Sequence, residues 1–200
     1  MNIKSLSLKK TLPYILIVCG LLGLIAAAVL SYDVYKSLIS PNFKPNCNIN
    51  PVLSCGSVMD SKQGTVFGFP NPVIGLVVYP ILAFVGVTLL AGAKFKKWFW
   101  ICLNLGLALG VGFIVWLFYQ SVYRIQAVCP YCALSWAATI TAFWYVTLYN
   151  YDQKIFKLSG KSNSVAAWIR KHHLDILVAV FIIIAALILN HFWWYYGKNF

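Results

Sequence analysis

The chain contains six cysteines, four of which form two dissimilar pairs: Cys47 and Cys55 in a polar stretch, and Cys129 and Cys132 in a Cys-Pro-Tyr-Cys motif. One pair can exchange a disulfide with a partner, whereas two pairs at one membrane face can pass electrons from one compartment to a lipid-soluble acceptor. In Cys-Pro-Tyr-Cys, Cys129 falls at a helix N-cap and Pro130 at the first helical position. Cys132 then lies in the first turn, where free backbone N–H groups and the helix dipole favour a thiolate. The alternatives are half of a zinc site or an inert structural disulfide, but no cluster of His, Asp or Glu surrounds the motif to complete a catalytic metal site. Cys47 and Cys55 are expected to form a disulfide across their loop, exposed to attack by an external thiol. The alternative there is a structural staple. A zinc site made of all four cysteines would need a more regular spacing. Cys19 and Cys102 lie within apolar runs and read as packing residues.

The elements that must position these pairs are membrane-like. The 200 residues are 61% hydrophobic and 10% charged, with a mean hydropathy of +0.77, which excludes the ordinary soluble domain. Five uncharged stretches, 11–32, 72–93, 98–123, 133–151 and 176–197, can each cross a bilayer core of roughly 30 Å, which takes about 20 helical residues. One all-α membrane domain over 1–200 is predicted. With the N-terminus inside, eleven of the sixteen Lys and Arg fall on the cytoplasmic side and five outside, as the retention of positive loops requires. All four paired cysteines then face the outer, oxidising side. The net charge of +12 is topogenic and suits contact with lipid headgroups; it requires no nucleic acid. Lys9, Lys10 and Ala26-Ala27-Ala28 imitate a cleaved leader, but the apolar run between them is longer than a signal h-region, so it is expected to stay as a span.

The loop 33–71 is long enough to be functional. Asn50-Pro51 reads as the start of a short helix lying along the bundle, with Val52, Leu53, Val58 and Met59 underneath, and Asn71-Pro72 as the capped start of the second span. The segment 159–164 reads as a mobile connection. Phe192 to Tyr196 read as an interfacial aromatic belt.

The order and spacing of these features resemble bacterial members of the vitamin K epoxide reductase family. The resemblance rests on Cys47 to Cys55 with its intervening Asn-Ile-Asn-Pro-Val-Leu-Ser, Ser61, the Phe67-Gly68-Phe69-Pro70-Asn71-Pro72 stretch, and Cys129-Pro130-Tyr131-Cys132. It implies a four-helix transmembrane bundle around a quinone, with a fifth transmembrane helix outside it. It further implies that Cys132 faces the quinone, that Cys129 is its partner, that Cys47 with Cys55 form the shuttle pair, and that Ser61 and Asn71 support the site. Many bacterial members carry a fused thioredoxin-like domain, and no further cysteine pair follows the fifth stretch here. The thiol donor is therefore expected to be a separate DsbA-like thioredoxin-fold protein. Trp136 occupies the place where vertebrate relatives have a pocket tyrosine, which favours an ordinary respiratory quinone, menaquinone or ubiquinone, over vitamin K epoxide.

The reading is a thiol:quinone oxidoreductase of the bacterial cell membrane that supports disulfide formation. Trp116, Phe113, Tyr119 and Trp136 are candidates to line the quinone site, and Arg124 to stabilise a nearby thiolate or simply anchor the interface. A DsbB-type oxidase would do the same chemistry with the two pairs in reverse order. A membrane scaffold with structural disulfides is the rival outside enzymes, and a transporter lacks the mid-span ionisable residues that would mark a path.

Overall fold

The computed structural model describes residues 8–40, 42–153, 155 and 168–197; the connection expected to be mobile, 159–164, lies outside them. Five long helices run Leu8–Ile39 (α1), Pro72–Leu90 (α3), Lys97–Tyr119 (α4), Pro130–Asp152 (α5) and His173–His191 (α6). A short helix, Cys55–Met59 (α2), sits in the loop after α1, and Trp193–Tyr196 (α7) ends the described chain. α4 runs on into a π-helical turn, Gln120–Ile125. No strand occurs among the described residues, and the single isolated bridge, Leu53 to Val128, is parallel.

Among the described residues, four helices are long and apolar enough to cross a membrane: α1, α3, α4 with its π turn, and α6. Their outward side chains are large and apolar, including Phe84, Leu109, Val115 and Ile182, as lipid rather than water requires. α5, which holds the fourth of the five predicted spans, 133–151, has 23 residues but is not among these apolar helices. The reason lies in its place: packed against α1 and α4, it spends Thr139, Thr147 and Asn150 on neighbouring helices. Asn150 donates to Trp100 O, Thr147 accepts from Asn104, and Thr139 bonds Tyr79.

α1 packs most extensively on α3 and α5. Small residues allow the first approach: a methyl group on Gly20 would fall 2.6 Å from Ala83 N, and one on Gly86 would meet Pro13 O at 2.7 Å. Close backbone contact of this kind replaces the hydrophobic drive that lipid cannot supply.

The end of the bundle that carries the paired cysteines departs from expectation in three places. The loop helix starts at Cys55, not at Asn50-Pro51, because the Asn50 side chain accepts from Val52 N and Leu53 N and turns the chain there, leaving Ser54 as the cap that accepts from Ser57 N. Asn71 precedes α3 without capping it; its backbone is already helical and its side chain is used elsewhere. Phe192 is not part of an exposed aromatic belt but fully buried with Val52, Val122 and Val128, while Trp193 and Trp194 are exposed.

Candidate redox site

Two backbone bonds build the site. Val128 N donates to Val52 O at 2.7 Å and Ser54 N to Val128 O at 3.2 Å, so the residues before Cys55 lie beside those before Cys129. Behind them, Ala127 N donates to Ser121 O and the Ser121 hydroxyl to Ala127 O, closing a loop in which Gln126 is left-handed at φ 59°. In front, Asn48 Oδ1 accepts from the Ser54 hydroxyl and from Gly56 N. Loop and helix start are thereby fixed in one register.

The predicted cysteines meet there. Cys47 and Cys55 are joined by a disulfide, and Cys129 Sγ lies 3.0 Å from Cys55 Sγ. Cys55 and Cys129 are both fully buried. Cys129 is the N-cap of α5 with Pro130 after it, as its motif predicts, but the helix-start N–H serves Cys129 rather than Cys132: Cys132 N points to Cys129 Sγ at 3.4 Å. The Cys132 thiol, together with the backbone N–H groups of Cys132 and Tyr131, holds the Cys129 thiol below its ordinary pKa despite burial.

Beneath the cysteines is a cavity of about 580 Å³ between the loop and α1, α3, α4 and α5, within the usual size of small-molecule sites, roughly 300–1,000 Å³. Cys55, Cys129 and Cys132 all line it, as do Asn71, Phe113 and Trp136. Asn71 Nδ2 donates to Gln63 O at 2.7 Å and its Oδ1 accepts from Val66 N at 3.2 Å, so it ties the roof together while its second amide hydrogen has no acceptor among the described residues. Ser61 is not a lining residue; its hydroxyl donates to Val58 O at 2.6 Å, and Val58 does line the cavity. Trp116, Tyr119 and Arg124 lie outside the cavity and are exposed. Cys19 is a buried packing residue as expected, but Cys102 is exposed on α4 and borders the cavity.

Several residues of the site carry no motif. Tyr79, Ser135 and Thr139 form a polar patch in the cavity wall: the Tyr79 hydroxyl lies 2.9 Å from Thr139 Oγ1 and 3.1 Å from Ser135 O. Ser135 and Thr139 follow Cys132 at helical spacing, on one face with it, which is the signal that could have found them. Gln63, bonded to Gln120 across the roof, and Asp33, whose Oδ2 is 3.9 Å from Cys47 Sγ, have no such signal.

Against known proteins, the profile of the Vitamin K epoxide reductase family matches residues 14–147. The chain belongs to that family. The match spans α1 to α5 with both cysteine pairs and ends before α6. No curated protein matches the chain.

Proposed function

We propose that the protein is a membrane thiol:quinone oxidoreductase supporting disulfide formation. Electrons enter at the Cys47–Cys55 disulfide from a thioredoxin-fold dithiol protein, pass to Cys129 and Cys132, and leave to a quinone in the cavity. The observation that carries this reading is the 3.0 Å approach of Cys129 Sγ to Cys55 Sγ at the top of that cavity. Sulfurs at such a distance are already near the geometry of attack, which converts exchange into an intramolecular step.

The approach supports distinct roles within the loop pair. Cys55 exchanges with Cys129 and Cys47 receives the external thiol. The partner's thiolate bonds to Cys47 Sγ and the Cys47–Cys55 bond breaks, leaving Cys55 as thiolate. Cys55 then attacks Cys129 of an oxidised Cys129–Cys132 pair and frees Cys132, which shares the cavity-facing side of α5 with Ser135, Trp136 and Thr139. The cavity suits a quinone ring: its walls are mostly apolar, and the free hydrogen of Asn71 Nδ2 is a donor for a carbonyl oxygen. A bound quinone supplies the acceptor for two electrons and two protons. Trp136 walls the ring in, and Ser61 holds Val58 over it.

The basic-residue asymmetry supports an N-terminus in the cytoplasm and the cysteines outside, in a bacterial cell membrane. Purification followed by mass spectrometry of the bound lipid-soluble molecules tests the reading: menaquinone or ubiquinone, reduced in the presence of dithiothreitol, is the expected result. A quinone-free protein that never reduces added quinone rejects it.

A further inference from the structure

The chain has four acidic residues, and only one of them, Asp33, is buried. It stands near the outer end of α1, 7% exposed, with Oδ2 3.9 Å from Cys47 Sγ. Among the described residues no Lys or Arg forms an ion pair with it. Lys36, one turn on, reaches over the Tyr32 ring instead, and Lys44 is exposed. α3 brings no charged residue, and the start of α5 brings only Tyr131 and the thiols of Cys129 and Cys132. A carboxylate taken out of water with no cation beside it is relieved by accepting a proton. Among the described residues, the relay group this carboxylate touches is Cys47, whose thiol carries a proton when it is free.

We propose that Asp33 is a catalytic residue of the relay, the base that takes the proton from Cys47 as Cys47 resolves the Cys55–Cys129 disulfide. The inference rests on the relay proposed above. In this step the Cys47 sulfur attacks Cys55 Sγ and its proton passes to Asp33 Oδ2. The Cys47–Cys55 bond forms, the Cys55–Cys129 bond breaks, and its electron pair leaves on Cys129 Sγ. Cys47 is oxidised and Cys129 reduced, with no outside reagent. The arrangement in the structure is the product of this step: Cys47 and Cys55 are bonded, Cys129 lies 3.0 Å away with helix-start N–H groups toward its sulfur, and Asp33 stands behind Cys47. Run backwards, protonated Asp33 returns its proton to Cys47 as that sulfur departs.

The test is steady-state turnover of the full chain in nanodiscs with dithiothreitol and ubiquinone-1, acid-quenched and alkylated so that peptide mass spectrometry reads which cysteines are bonded. In Asp33→Asn at pH 7, the Cys55–Cys129 disulfide with free Cys47 should accumulate. Turnover should fall by about 10²-fold or more, the usual worth of a positioned base. Both defects should shrink as pH rises through the ordinary thiol range near about 8.5, where Cys47 loses its proton unaided. Asp33→Glu should restore the wild-type pH profile. Asp33→Ser, smaller and uncharged, runs in parallel so that a folding defect of one substitution does not decide the outcome. An active wild type, with no accumulation in either uncharged variant, overturns the role of Asp33. So does an equal loss at every pH shared by Asp33→Glu, which marks a merely structural role. A wild type that neither reduces quinone nor ever forms Cys55–Cys129 overturns the relay itself, and the inference with it.

Discussion

Phe192 lies far along the chain from the cysteines, yet its fully buried ring closes the cluster of Val52, Val122 and Val128, and Val52 and Val128 share one of the two backbone bonds that join the loop to the start of α5. Phe192→Ala should therefore loosen the redox site while leaving the bundle intact. Truncating a buried Phe costs roughly 3–5 kcal/mol. If that cost falls on the local opening that exposes Cys129, the opening becomes roughly two to three and a half orders of magnitude more frequent, at about 1.4 kcal/mol per tenfold. The assay is the alkylation rate of Cys129, 0% exposed in the closed site, by iodoacetamide in detergent at neutral pH, with helix content followed in parallel. Trp193→Ala is the control, since Trp193 is 65% exposed and should change the rate by less than about twofold. Equal, small effects of the two substitutions would refute the reasoning and return Phe192 to an ordinary interfacial aromatic.

Replacing Cys132 by Ala removes the thiol that does most to hold Cys129 below its ordinary pKa. The midpoint of Cys129 alkylation should move up in pH and its rate near pH 7 should fall; an unchanged midpoint contradicts this. Asn71→Ala loses two hydrogen bonds in the cavity roof, at about 1 kcal/mol each, so the apparent KM for quinone should rise roughly 5–30-fold in quinone-reduction kinetics. Tyr79→Phe should cost only about 1 kcal/mol in thermal unfolding, because Thr139 keeps its own 3.0 Å bond to Ser135 O. Cys47→Ala should accumulate a Cys55–Cys129 disulfide, visible by peptide mass spectrometry, since no resolving sulfur remains.

The sequence made the helices legible through their apolar length and the Cys-Pro-Tyr-Cys turn through its cap and proline, because both signals are local. What joins the two pairs is not local. The Val52–Val128 bond, the burial of Phe192 and the approach of Asp33 to Cys47 connect segments whose spacing carries no periodic pattern. Asn50 and Asn71 misled for one physical reason: an Asn before Pro suits a cap, but its side chain can also bond its own loop, and here both do so. Of the four aromatics proposed for a quinone site, Phe113 and Trp136 border the cavity while Trp116 and Tyr119 are exposed on α4, a distinction set by the helix partners and absent from composition.

The most direct measurement of the central claim is a single turnover under argon. Fully reduced protein in nanodiscs, mixed with one equivalent of oxidised ubiquinone-1, should yield one equivalent of quinol by absorbance and one new disulfide by mass spectrometry, formed at Cys129–Cys132 and passed by exchange to Cys47–Cys55. The Cys132→Ala protein should yield neither. Quinol formed at the wild-type rate by Cys132→Ala, or a wild type that keeps all its thiols beside unreduced quinone, contradicts the account.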